Sequence, residues 1–168
     1  MLGLSRCEGN PMPFRILVFT LALIAVFYVP ASAQTQPTLT SVSASTIPTT
    51  QQIQPAELNN MLGSKSGAPL VIQVGSRIFY QEDHIPGAVY AGPGSQPSGL
   101  KALETAVAAA PKDKFIVLYC GCCPWSRCPN VGPAFQHLHD LGYTNVKVLY
   151  LANNFGDDWV RKGYPREH

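Results

Sequence analysis

Phe115-Ile116-Val117-Leu118-Tyr119 is an unbroken run of apolar and aromatic residues. A run of strand length without polar alternation must bury both faces, as a parallel strand does when helices cover the sheet on either side. The neighbouring segments fit the same architecture. Leu70-Val71-Ile72-Gln73-Val74 is a second short run rich in β-branched residues, Val89-Tyr90-Ala91 a weaker one, and Val146 to Leu151 another. Helical signals lie between them. Pro55-Ala56-Glu57-Leu58 opens a short helix ending near Gly63, with Pro in its first turn. Gly99 to Ala110 carries Leu100, Leu103, Ala106 and Val107 at helical spacing before Pro111, and Val131 to Leu141 places Phe135, Leu138 and Leu141 on one face ahead of Gly142. A last short helix is expected at Trp159 to Lys162. Alternating strands and helices predict an α/β fold: a small open parallel sheet flanked by helices. In such sheets ligands sit beyond the carboxyl ends of the strands, and the loop after Tyr119 occupies that place.

That loop holds four of the chain's five cysteines, in Cys120-Gly121-Cys122-Cys123-Pro124-Trp125-Ser126-Arg127-Cys128. Cysteines used as small core residues would be spread through the sequence, so this clustering points to chemistry. A thiol at the end of a central strand, facing loop amides and a following helix N-terminus, is expected to favour thiolate and to attack sulfur as in thiol–disulfide exchange. Cys120 has that position. Arg127 is the loop's one cationic side chain, and it is a candidate both to lower the thiol pKa and to hold an anionic donor such as thiosulfate. Cys123 and Cys128 are the best-spaced disulfide pair, and Cys122, Cys123 and Cys128 are each candidates to resolve an oxidised Cys120. Cys120 and Cys123 also have C-x-x-C spacing, but zinc sites draw on two separated pairs and no second pair exists. His137 and His139 do not share a helix face, and His84 and His168 lack ligand patterns around them, so no metal ligand set is expected.

The N-terminus bears on location. Arg6 and Arg15 precede the uncharged apolar run Ile16 to Val29, and Pro30-Ala31-Ser32-Ala33 follows. These are the parts of a secretory signal cleaved after Ala33, which implies export to a periplasmic or extracellular space. Counted on to Ala33 the run nearly reaches spanning length, so an uncleaved anchor is the other reading, with the domain outside in either case. Residues 34–52 are rich in Gln, Thr, Ser and Pro and are expected to be a flexible tether, leaving 53–168 as the folded domain. Without residues 1–33 the chain keeps ten basic and nine acidic residues and no Lys/Arg run. The electrostatic footprint of a nucleic-acid or anionic-membrane binder is absent, and a small partner fits better.

Over residues 53–168 the chain resembles the rhodanese family. The resemblance is carried by His84-Ile85-Pro86-Gly87-Ala88, by Pro111-Lys112-Asp113-Lys114 leading into Ile116-Val117-Leu118-Tyr119-Cys120, by Leu141-Gly142-Tyr143-Thr144-Asn145-Val146 with Val148-Leu149, and by Trp159 through Gly163-Tyr164-Pro165. It implies a sulfurtransferase in which Cys120 cycles between thiol and persulfide, taking sulfane sulfur from a small donor and passing it to a thiol acceptor, without a cofactor. Gly121, Cys122, Cys123, Trp125, Ser126 and Arg127 would then contact the substrate, with loop amides around the extra sulfur and His84 structural. Two departures stand out. Gln73-Val74-Gly75 replaces the family's usual Asp-Val-Arg, and the loop between Cys120 and the next helix is several residues longer. The extra cysteines keep two other readings open: a thiol-redox protein, or a soft-metal-binding module without turnover. A thioredoxin fold is disfavoured, because fewer than fifty residues follow Cys120.

Overall fold

The computed structural model describes residues 43–64 and 67–168. Five short strands form one sheet: β1 (Gln52–Ile53), β2 (Leu70–Gln73), β3 (Val89–Tyr90), β4 (Ile116–Tyr119) and β5 (Val146–Leu149), in the order β1-β5-β4-β2-β3. Every pairing is parallel, with Gln73 opposite Tyr119 and Leu118 opposite Val148. The helices are α1 (Pro55–Leu62), α2 (Arg77–Glu82), α3 (Pro97–Val107), α4 (Val131–Asp140) and α5 (Phe155–Asp158). This is the expected open parallel α/β sheet.

The central strand explains the layering. All four β4 residues are buried, and they alternate between two cores. Ile116 and Leu118 face Leu103 and Val107 of α3 and Phe135 and Leu138 of α4. Val117 and Tyr119 face Ile53, Leu58, Leu149 and Trp159 on the other side. Trp159, fully buried, donates its indole N–H to the Pro165 carbonyl at 2.8 Å, which ties the C-terminal segment to that core.

Three features differ from the sequence expectations. The tether does not extend to Gln52: Ala44, which opens the 3-10 turn Ala44–Thr46, and Ile47, which follows it, are buried in the α3/α4 core, and Gln52–Ile53 adds an edge strand against β5. Two well-placed apolar side chains suffice to dock this polar segment; residues 34–42, like the signal segment at 1–33, lie outside the described residues. Helix α2 was not foreseen because it buries none of its residues and so leaves no apolar period, with Ile78 72% and Phe79 45% exposed. The last helix starts earlier, at Phe155, because Asn154 caps it by accepting a hydrogen bond from the Asp157 N–H at 2.9 Å; Trp159 closes it and Val160–Lys162 is 3-10.

Ile47→Ala tests the docked segment. It is expected to lower unfolding free energy by about 2–4 kcal/mol in urea denaturation, the cost of emptying a buried isoleucine site; a free tether would give no change.

Candidate active site

Cys120 follows β4 directly and is 3% exposed. Its place depends on the backbone opposite. Gln73, at the matching end of β2, donates its side-chain amide to the Cys120 carbonyl at 3.1 Å and accepts from the Gly75 N–H at 3.2 Å. Gly75 packs so closely that a Cβ there would lie 2.8 Å from the Cys120 oxygen and 3.0 Å from its sulfur. The two departures from Asp-Val-Arg are therefore one local solution: an arginine at position 75 has no room beside this cysteine, and the uncharged Gln73 fastens both backbones. Gly121 then turns the chain with φ of 81°, a left-handed conformation suited to glycine, and accepts the Phe155 N–H at 3.0 Å.

Asn130, buried at the α4 N-cap position, is a site residue that sequence reasoning missed. Its Oδ1 accepts from the Ser95 N–H at 3.2 Å and the Ser95 hydroxyl at 2.8 Å, which turns Nδ2 to donate to Cys120 Sγ at 3.2 Å. Nothing in a lone Asn ten residues from the cysteine signals this, since the contact exists only once the long loop folds back.

The four described cysteines are free thiols. Cys120 Sγ lies 3.1 Å from Cys122 Sγ, and Cys122 Sγ 3.5 Å from Cys123 Sγ. Cys123 reaches the Arg127 carbonyl at 3.9 Å, while Cys128 is buried in the α3/α4 core against Cys120. No bond joins Cys123 to Cys128, contrary to the spacing argument. The expected thiolate is also not favoured. The Cys122 sulfur first, and then burial, push the Cys120 thiol up to about 12, against an opposing pull from Cys128. Cys128 is raised as well, by Cys120 and then burial, and burial raises Cys123.

A cavity of about 320 Å³ opens over Cys120, Gly121 and Cys122, with Gln73, Tyr119 and Phe155 among its walls. Glu82 and Asp83 stand on its lining, Asp83 paired with Arg166 at 2.7 Å, and among the described residues no Lys or Arg lines it. Cys123, Trp125, Ser126 and Arg127 lie outside that lining. The Arg127 and Ser126 side chains are exposed, and Trp125 packs on Tyr150 with ring centroids 5.1 Å apart. Of the residues expected to contact substrate, the fold thus gathers Cys120, Gly121 and Cys122 on the cavity wall, keeps the Cys123 sulfur beside that of Cys122 but outside the lining, and turns Trp125, Ser126 and Arg127 away. Arg127 does not reach the thiol because its 3-10 turn, Trp125–Arg127, runs along the surface. His84 supports the site from behind: it stacks on Tyr80 at 4.0 Å and bridges Glu167, while the next residue, Ile85, donates its N–H to Tyr119 at 3.2 Å.

The model of the rhodanese-like domain family matches residues 54–151. The chain belongs to the rhodanese-like family. Solved structures agree on the fold. The rhodanese-like domain of an Anabaena sp. protein, determined in solution, superposes with a TM-score of 0.51 at 21% identity, covering 70% of this chain and 78% of its own. A Bacillus halodurans protein superposes at 0.54 and 22% identity, covering 69% and 75%. No curated protein matches the chain. In this rhodanese-like domain the Gln73–Gly75 clamp and the cysteine-rich loop set the surroundings of Cys120.

Because thiolate is the reactive form and the Cys120 thiol sits near 12, iodoacetamide labelling of Cys120 should speed up about tenfold for each pH unit above neutrality, without a plateau near pH 9. Asn130→Ala removes a hydrogen bond to the developing thiolate, a loss of about 1.5–3 kcal/mol for a charged partner. It should slow labelling at fixed pH by at least about tenfold and displace the profile further alkaline. An unchanged profile would show that Asn130 only packs.

Proposed function

We propose that this domain is a sulfurtransferase that carries sulfane sulfur on Cys120. The observation behind this reading is the placement of a single buried cysteine at the carboxyl end of β4, at the floor of the cavity, on a rhodanese-like fold. Loading is a displacement at divalent sulfur. The Cys120 thiolate attacks the outer sulfur of the donor, a new S–S bond forms as the donor S–S bond breaks, and the donor leaves as a thiolate or, from thiosulfate, as sulfite. The thiol proton passes to solvent. Unloading reverses the roles: an acceptor thiolate attacks the terminal sulfur and Cys120 returns to thiol. No external oxidant or reductant is consumed.

Cavity charge argues for the kind of donor. Thiosulfate carries two negative charges, and it would meet the Glu82 carboxylate, Asp83 being paired with Arg166 at 2.7 Å, with no cationic side chain among the described residues of the lining. A neutral or singly charged organic persulfide suits this cavity better, and its thiol product is an equally small leaving group. The signal-like segment at residues 1–33 supports an exported site of action, with small thiols as partners.

Sulfite release from thiosulfate and thiol release from a low-charge organic persulfide, each against Cys120→Ala, test the reading. Both should require Cys120, and the organic donor should react faster. Glu82→Gln should raise the thiosulfate rate by about 2- to 5-fold at low ionic strength and by less at physiological salt, where charges beyond about 8 Å are screened. Turnover that survives Cys120→Ala would contradict the proposal.

A further inference from the structure

Sulfur transfer of this kind needs one cysteine, yet the loop brings three sulfurs together. The Sγ atoms of Cys120, Cys122 and Cys123 all lie within 4.8 Å of one another. Three thiolates around one ion, at the metal–sulfur distance of about 2.3 Å found in thiolate sites, stand roughly 4.0 Å apart. The three cysteines span that separation already, with Cys120 and Cys122 at 3.1 Å and Cys122 and Cys123 at 3.5 Å, so coordination needs only a small opening of the cluster.

We propose that Cys120, Cys122 and Cys123 form a three-coordinate site for copper(I). The donor set decides the metal class. All three ligands are soft thiolates, which favour copper(I) or zinc over harder ions. Zinc in a structural site takes four ligands; among the described residues the group has three, Cys128 falls outside it, and no histidine lines the adjoining cavity. Copper(I) is satisfied by three sulfurs. Asn130 adds an outer contact, its Nδ2 donating to the Cys120 ligand atom. Burial of Cys120 at 3% exposure shields the ion on one side, while the partly exposed Cys122 and Cys123 leave an entry path. Binding releases one proton from each thiol that coordinates and leaves the oxidation state of copper unchanged. The spacing argument against a metal considered separated C-x-x-C pairs; a C-x-C-C sequence folded back on Gly121 meets the requirement differently. This site shares Cys120 with sulfur transfer, so occupation by copper excludes sulfur loading.

The test is a competition at fixed pH, in which reduced, anaerobically prepared full-length protein is titrated into a coloured copper(I)–chelator complex. The wild-type chain should withdraw one equivalent. Cys122→Ser and Cys123→Ser should each weaken binding by about 100-fold or more, since even outer contacts of metal sites are worth up to about that factor. Cys128→Ser, which changes a neighbour of Cys120 and removes no ligand, should weaken binding clearly less than either ligand variant, and stoichiometric copper(I) should displace zinc. Circular dichroism of each variant separates lost ligation from lost folding. Failure of the wild type to compete, a Cys128→Ser loss equal to that of Cys122→Ser, or zinc retained against copper(I) would overturn the assignment. Because affinity is read without turnover, a chain that binds no copper(I) can still load sulfur on Cys120, and the two proposals fail separately.

Discussion

Strand β4 has no free face, and everything at the site is hung from that constraint. Ile116 and Leu118 are fixed in one core and Val117 and Tyr119 in the other, so the strand cannot slip by one residue without exchanging all four side chains between layers. Cys120, the next residue, inherits that rigidity. The β2 end is tied to it through Gln73, and the absence of a side chain at Gly75 lets the two backbones approach. The Cys120 sulfur is thereby held at a fixed point while the rest of its loop is free to vary in length.

That freedom separates this domain from a short-loop relative. The loop is long enough to return on itself, so that Asn130 at the start of α4 supplies a side-chain donor to Cys120 where loop amides and Arg127 were expected. The same path sets Cys122 and Cys123 beside Cys120 and buries Cys128 behind it. The consequence is a thiol held in its neutral form by the Cys122 sulfur and by burial, against an opposing pull from Cys128, not a preformed thiolate. Sulfur chemistry here therefore waits on deprotonation, or on a soft metal ion that displaces the proton.

The parallel sheet and four of its five strands were legible because apolar runs and glycine or proline stops follow from burial and backbone sterics alone. The position of Cys120 was legible for the same reason, as the residue after the most apolar strand. What could not be read depends on side chains meeting across the fold. Arg127 looked like an anion holder by sequence proximity, but a 3-10 turn directs it to solvent. Asn130 looked ordinary and Gln73 stood out only as a lost charge, and the two touch the Cys120 sulfur and carbonyl. Helix α2 escaped notice because it presents Ile78 and Phe79 outward, leaving no buried stripe to detect, and the docking of Ala44 and Ile47 escaped because their neighbours are polar.

The central claim is that Cys120, and not its more exposed neighbours, receives the transferred sulfur. Fragment mass spectrometry of the peptide ending at Arg127, after brief exposure of reduced protein to a persulfide donor, locates the added atom directly. One extra sulfur on Cys120, with Cys122 and Cys123 unmodified at the earliest times, is the result predicted. Sulfur appearing first on Cys122 or Cys123, or on no cysteine at all, would contradict it.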